Sequence, residues 1–128
     1  MPFVSAMLCA QPSPSLTARA VLALTDLTEK VLGKERARTS VAVQYVPEAQ
    51  WGRGGAIPAR GFYVEVRITS STNSRDDKAR YVREVNRALQ SLLGGSSGYV
   101  VVQEIAPDAW GYDGETQELR YARDRLLV

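Results

Sequence analysis

The sequence of 128 residues lacks histidine altogether and has a single cysteine, Cys9. Without histidine the chain cannot form a histidine-based catalytic triad or metal site, and it is missing the commonest acid-base side chain of enzymes. One cysteine allows no intrachain disulfide, and one cysteine without histidine supplies no ligand set for a structural zinc ion. These absences exclude a disulfide-rich scaffold and a structural zinc module, and we expect no metal site.

Long apolar runs and blocks of like charge are also missing. No apolar run approaches the length of about 20 residues that spans a membrane, and the first residues show no basic region of the kind that opens a signal peptide. The 16 basic and 14 acidic residues are mixed along the chain and give a net charge of +2, without the basic footprint of a nucleic-acid-binding protein. We therefore expect a cytoplasmic protein whose partners include neither a membrane nor a nucleic acid.

An internal repeat is the most informative feature that the sequence does contain. Residues 2–55 align with residues 62–114, and small changes of offset along the alignment indicate loop insertions. We therefore interpret residues 1–128 as one domain built from two related halves, with a hairpin extension at its C-terminal end. The alignment is anchored by Val4 with Val64, Ala18-Arg19 with Ala79-Arg80, Leu32-Gly33 with Leu93-Gly94, Gln44 with Gln103, and Trp51-Gly52 with Trp110-Gly111.

Each half begins and ends with a predicted strand. Apolar runs with β-branched and aromatic residues predict the first strands over residues 3–9 and 62–69. Similar runs predict the second strands over residues 39–46 and 98–105. Each second strand is followed by a proline and then by a Trp-Gly turn.

A helix is predicted between the two strands of each half. Pro14 after Ser13 suits the first turn of a helix, and Gly33 supplies a stop signal. The second helix has an N-cap candidate in Ser74, acidic residues in its first turn, and an end before Gly94. The residues predicted to face the core are Leu16, Ala20, Leu24, Leu27 and Val31 in the first helix, and Ala79, Val82, Leu89 and Leu93 in the second.

This β-α-β-β-α-β order predicts an α/β (α+β) fold with a four-stranded mixed sheet and two helices on one face. The strands of each half pair in parallel, because the helix between them provides the crossover that parallel strands require. We expect the other face, which carries Val41 and Val43 or their neighbours together with Glu65, Arg67 and residues 100–102, to be buried by oligomerisation. A ferredoxin-like domain shares the element order but has a different strand order, so the topology distinguishes the two.

The first two residues, Met1 and Pro2, carry the clearest candidate for chemistry. An initiator methionine is usually removed when proline follows, and its removal would leave Pro2 with a free secondary amine. Such an amine can act as a general base when its pKa is lowered, and an apolar surrounding or a nearby cation produces that shift. The plain alternative is that Pro2 is an ordinary, tolerated residue.

Four short motifs occur together in the first half: the opening Met-Pro, a helix that ends in Leu-Gly, a second strand at Thr-Ser-Val, and a Trp-Gly-x-x-Gly hairpin. In this combination the sequence resembles the 4-oxalocrotonate tautomerase family, and its two halves resemble the fused members of the tautomerase superfamily. The resemblance implies a homotrimer and a cofactor-independent tautomerase or isomerase in which Pro2 is the general base. It also implies a small 2-oxo or 2-hydroxy carboxylic acid as substrate, such as a 2-hydroxydienoate or an arylpyruvate enol.

The sequence departs from the family at positions that bind the substrate carboxylate. The arginines of the dehalogenase-like members fall at Ser70 and Asn73, and the second-strand arginine falls at Ala42 or Val101. Phe62 stands in the second half where Pro2 stands in the first, so we expect one site per chain. We therefore expect modest tautomerase activity and neither dehalogenase nor decarboxylase activity. The alternative is a catalytically inactive, oligomeric binding module, which retention of Met1 would indicate.

Two candidate substrate-binding residues are Trp110 and Asn73. Trp110 matches the active-site aromatic residue of the family, although a hairpin anchor in a subunit interface would also account for a tryptophan at this position. Asn73 is a candidate hydrogen-bond donor to a substrate oxygen, and its position before the second helix equally suits a cap.

Two further candidates are the arginines Arg75 and Arg67. Arg75 could supply the cation that the family positions lack, although an arginine in the first turn of a helix is usually solvated. Arg67 could reach the site from the third strand, or it could pair with Glu65 or Glu104.

Overall fold

The computed structural model describes residues 1–126, which form a four-stranded sheet, two long helices and a C-terminal extension. The first half comprises β1 (Phe3–Cys9), α1 (Pro14–Leu32) and β2 (Ser40–Val46), with short 3-10 turns at Arg36–Arg38 and Glu48–Gln50. The second half comprises β3 (Phe62–Thr69), α2 (Arg75–Leu92) and β4 (Tyr99–Ile105). The extension comprises β5 (Gly111–Tyr112), β6 (Glu115–Thr116) and α3 (Gln117–Leu126).

The sheet has the strand order β2-β1-β3-β4. The two strands of each half pair in parallel, and β1 pairs with β3 antiparallel at the centre of the sheet. In a ferredoxin-like, split βαβ arrangement another strand lies between the two strands of a unit. Because the strands of each half are neighbours here, the ferredoxin-like alternative is excluded and the predicted mixed sheet is confirmed.

Capping residues fix the beginnings of both long helices. Ser13 Oγ accepts a hydrogen bond of 3.2 Å from the Leu16 N–H, and Pro14 occupies the first turn of α1. In α2, Ser74 and Asp77 form a capping box in which each side chain accepts from the backbone N–H of the other residue. Gly33 ends α1 with a φ of 67°, a left-handed conformation that glycine adopts without steric cost.

The core lies between the two helices and one face of the sheet. Tyr81 is fully buried in it and shares a hydrogen bond of 2.9 Å with the Thr28 hydroxyl, which joins α2 to α1. Burial raises the pKa of Tyr81 to about 12. The prediction that Ala79 and Val82 face the core was wrong, because both are exposed. The buried stripe of α2 consists of Tyr81, Val85 and Leu89, spaced four residues apart.

The outer face of the sheet carries Glu65, Arg67 and Val101, as predicted. Val41, Val43, Val100 and Val102 pack against the core, so in β2 the neighbours of the two valines face outward. Successive residues of a strand point to opposite faces, so a shift of one position exchanges the two faces. Glu65 and Arg67 alternate with the buried residues of β3 and form an ion pair of 2.8 Å between Oε2 and Nη2. The larger apolar side chains on this face belong to Phe3, Met7, Tyr63, Tyr99 and Val101.

The C-terminal extension begins with a short hairpin and continues as a helix. β5 and β6 pair antiparallel, and α3 starts directly after them at Gln117. The sequence patterns predicted the hairpin but not the helix. Within the described residues no helix is both long and apolar enough to cross a membrane.

Candidate active site

A cavity of about 310 Å³ lies at the N-terminal end of β1, with Pro2 in its wall. This volume falls at the lower end of the range for small-molecule sites. Pro2 itself is buried, whereas Met1 is half-buried. The other lining residues are Phe3, Ala37, Arg38, Ser40, Arg67, Trp110, Gly111, Tyr112 and Gln117.

Strand pairing brings three parts of this wall together. Parallel strands begin at the same edge of a sheet, and the Ser40 N–H donates a hydrogen bond of 3.2 Å to the Pro2 carbonyl oxygen. The 3-10 turn before β2 therefore places Arg38 beside Pro2. On the other side of β1 the antiparallel register sets Phe3 opposite Arg67. The proline and two arginines from distant parts of the sequence thus line one cavity.

The C-terminal extension forms the remaining wall. Trp110 Nε1 and the Tyr121 hydroxyl both donate to Thr69 Oγ1, over 3.2 Å and 3.3 Å. The Gln117 N–H donates to the Trp110 carbonyl oxygen over 3.0 Å, and the Gln117 side chain is only 1% exposed. These contacts anchor the hairpin and α3 to the end of β3, so the wall is part of the folded structure.

Charges around the N-terminus favour a neutral amine. Burial lowers the pKa of the Met1 α-amino group from its ordinary value of 8.0, and the cations Lys34, Arg120 and Arg38 lower it further. The carboxylate of Glu35 opposes them. Burial disfavours a charge of either sign, whereas the three cations contribute a positive potential that also favours an anion placed there.

Comparison with solved structures identifies the fold. The fused 4-OT protein Q0, a wild-type symmetric trimer, superposes with a TM-score of 0.83 at 20% identity, over 91% of this chain and 96% of that one. The chain has the fold of the fused 4-OT proteins. Pt0534, in a crystal structure of the protein inactivated by 2-oxo-3-pentynoate, gives a TM-score of 0.84 at 12% identity, over 92% and 98% of the two chains.

Similarity extends to a macrophage migration inhibitory factor-like protein from Entamoeba histolytica. Its TM-score is 0.72 at 20% identity, over 90% of this chain and 97% of that one. Comparison with protein-family models gives no match, and comparison with curated protein sequences gives none either. The fold predicted from the repeat and the opening Met-Pro is therefore confirmed by structural similarity at low sequence identity.

In this tautomerase-type fold, Pro2, Arg67 and Trp110 line one cavity, whereas Asn73 and Arg75 lie elsewhere. Asn73 Nδ2 donates to the Leu32 carbonyl oxygen over 2.9 Å, which ties the start of α2 to the end of α1. Arg75 is exposed in the first turn of α2. Arg67 lines the cavity and also pairs with Glu65. The two alternatives considered for Arg67, a place at the site and an ion pair with a glutamate, therefore occur together.

No sequence pattern was used to place Arg38 and Gln117 in the cavity wall, or Arg120 near the N-terminal amine. A signal for Arg38 existed, because the residues before the second strand of a parallel pair lie at the same edge as the residues before the first. No comparable signal marked Gln117 or Arg120, which lie on α3. Metal binding has no candidate site either, since residues 1–126 contain no cluster of three or more acidic or cysteine side chains able to hold an ion.

Replacing Arg38 with glutamine should raise the pKa of the N-terminal amine, because the variant removes a cation that lowers it. The matched control is Arg36→Gln in the same 3-10 turn, since Arg36 is engaged by Asp26 at 2.6 Å and is not among the charges acting on the amine. NMR titration of the reductively methylated amine measures both values. An unshifted pKa in R38Q, or an equal shift in R36Q, would show that the assigned charge does not act there.

Proposed function

We propose that this chain is a cofactor-independent tautomerase in which the amine of Pro2, freed by removal of Met1, acts as general base. The amine takes the proton from the hydroxyl of a 2-hydroxy enoic or dienoic acid and returns a proton to carbon. The double bond then moves from carbon-carbon to carbon-oxygen, giving the 2-oxo acid. The observation that carries the proposal is the position of buried Pro2 in a cavity surrounded by cations.

The free amine is the first requirement of this mechanism. With Met1 attached, the Pro2 nitrogen is a tertiary amide that has no proton to exchange and little basicity. Cleavage converts it to a secondary amine one residue deeper in the structure than the Met1 amine. The burial and the cations that lower the pKa of the Met1 amine act on this position too. A lowered pKa leaves more of the amine neutral at pH 7, which is the form that accepts a proton.

Binding of the substrate carboxylate is the second requirement. Arg38 and Arg67 line the cavity and offer the forked donors that match two carboxylate oxygens. Arg67 already shares its charge with Glu65, while the partner of Arg38 is Glu35 on the exposed turn, at 3.3 Å. These two arginines differ in position from the arginines of the family, which fall at Ser70, at Asn73 and at Ala42 or Val101 in this chain. Carboxylate binding is thus supplied from new positions on the same scaffold.

The aromatic lining suits a substrate with a planar, conjugated or aryl group. Trp110 and Tyr112 lie side by side in the wall of the cavity, and Phe3 lies beside Pro2. Apolar and aromatic walls with few polar groups are typical of small-molecule sites. The structural relative Pt0534 was inactivated by 2-oxo-3-pentynoate, which is itself a conjugated 2-oxo acid. This supports an arylpyruvate enol or a 2-hydroxydienoate as the substrate class.

Replacing Pro2 with alanine should reduce kcat/KM for the ketonisation of phenylenolpyruvate by about 10²-fold or more, the lower end of what general bases contribute. Alanine permits the same removal of Met1 but leaves a primary amine without the fixed proline ring. Pro12→Ala, at an exposed position outside the site, serves as the matched control and should leave the rate unchanged.

Ultraviolet absorbance follows the enol, and intact mass defines the N-terminus of each variant. Unchanged turnover in P2A would exclude Pro2 as the base. Retention of Met1 by the native protein would exclude Pro2 as the general base and favour a binding module on the same scaffold.

The quaternary state that we propose is a homotrimer formed through the outer face of the sheet. Phe3 and Met7 are each 37% exposed on this face and Tyr99 is 75% exposed, which leaves apolar surface to be covered. The fused 4-OT relative is a symmetric trimer. Sedimentation at micromolar concentration should give three times the chain mass of 14.0 kDa. A Tyr99→Glu variant should dissociate, and a wild-type protein that sediments as a monomer would contradict the proposal.

A further inference from the structure

Helix α3 carries two polar side chains that no sequence motif indicated, one in the wall of the Pro2 cavity and one against a residue of that wall. Gln117 lines the cavity and is 1% exposed. Arg120 follows three residues later, a spacing that places both side chains on the same face of a helix. Its guanidinium carbon lies 5.6 Å from the ring centre of Tyr112, which also lines the cavity. The face of α3 that carries these residues is therefore directed at the candidate active site.

The guanidinium group of Arg120 has a donor without a hydrogen-bond partner among the described residues. Its Nε is buried and has no hydrogen-bond partner within residues 1–126. Arg120 also takes part in none of the ion pairs formed among these residues. The acidic residue near it, Glu115, is engaged by Arg123 Nη2 at 2.8 Å. A buried guanidinium donor without a partner is costly, and an anion that accepts its hydrogen bond removes that cost.

The charge of Arg120 also acts at the candidate catalytic amine. Arg120 lies close enough to the N-terminus for its charge to lower the pKa of the Met1 α-amino group. Removal of Met1 opens the space that this residue occupies in the cavity wall, next to the new Pro2 amine. An anionic group that enters this space meets Arg38 from the turn before β2 and Arg120 from α3.

We propose that Arg120 binds the carboxylate of the substrate, so that α3 is a specificity element of the Pro2 site. This inference rests on the proposed function for the identity of the ligand, a 2-oxo or 2-hydroxy carboxylic acid. Stacking on Tyr112 holds the planar guanidinium in one orientation, which reduces the side-chain entropy lost when it binds a carboxylate. Gln117 contributes a neutral donor on the same face of the helix.

The test uses two inert ligands of the same shape, 3-phenylpropanoate and 3-phenylpropanamide, with calorimetry on Met1-free protein. Arg120→Gln should weaken binding of the carboxylate by about 10- to 100-fold, the loss expected for a hydrogen bond to a charged group. The amide should bind within about 2-fold of its wild-type affinity, since it has no charge to lose. Arg125→Gln, an exposed position on the same helix, should change neither affinity.

A second variant and a second measurement separate a binding role from a structural one. Arg120→Lys keeps the positive charge but loses the two parallel N–H donors of the guanidinium group, so it should weaken carboxylate binding less than R120Q does. This variant remains informative if R120Q does not fold. R120Q should also raise the pKa of the N-terminal amine, because it removes a cation. Equal carboxylate affinity in R120Q and wild type, or an equal loss for both ligands, would overturn the proposal.

Failure of this inference and failure of the proposed function give different results. If Pro2 is not the general base, P2A turns over phenylenolpyruvate at the wild-type rate, whatever R120Q does to carboxylate affinity. If Arg120 does not bind the carboxylate, the Pro2-dependent activity remains and R120Q binds 3-phenylpropanoate like the wild type.

Discussion

Parallel pairing of β1 with β2 is the constraint on which the candidate site depends. It places the residues before both strands at one edge of the sheet and is extended there by the hydrogen bond from the Ser40 N–H to the Pro2 carbonyl oxygen. The antiparallel pairing of β1 with β3 then adds Arg67 from the second half. Neither repeat alone could form this cavity, because its wall combines the start of the first half with the end of the second.

The two halves have the same backbone plan but diverge in chemistry. Pro2 in the first half corresponds to Phe62 in the second, and Phe62 is fully buried in the core. The second half instead supplies Trp110, Tyr112 and the helix that follows them. Two copies of one backbone plan in a single chain allow this division, since each copy need not keep every part of the site. The arginines proposed to bind the carboxylate likewise come from different parts of the chain: Arg38 from the first half, Arg67 from β3 and Arg120 from the C-terminal extension.

Much of the fold could be predicted from the sequence because repetition and residue periodicity report directly on local structure. The outward-facing residues of β2 and β4 stayed undecided in the sequence, because both strands have apolar residues at odd and at even positions, so alternation does not distinguish Val41 from Ala42. The predicted core-facing residues of α2 were wrong at Ala79 and Val82. The buried face of the helix starts at Tyr81, an amphipathic residue that the apolar pattern does not include. Half of the residues of helix α3 are charged, and the helix is held by tertiary contacts such as Tyr121 with Thr69, which no local pattern encodes.

The central claim is that Pro2 provides a neutral amine, beside bound carboxylate, at neutral pH. Incubation of the native protein with 2-oxo-3-pentynoate, followed by peptide mapping, tests it most directly. An amine adds to the alkyne conjugated to the ketone only in its neutral form, and the carboxylate directs the reagent to the cationic cavity. The account predicts one adduct per chain, on Pro2, with the lysines and buried Cys9 unmodified. An N-terminus that still carries Met1, or modification elsewhere with Pro2 unmodified, would contradict it.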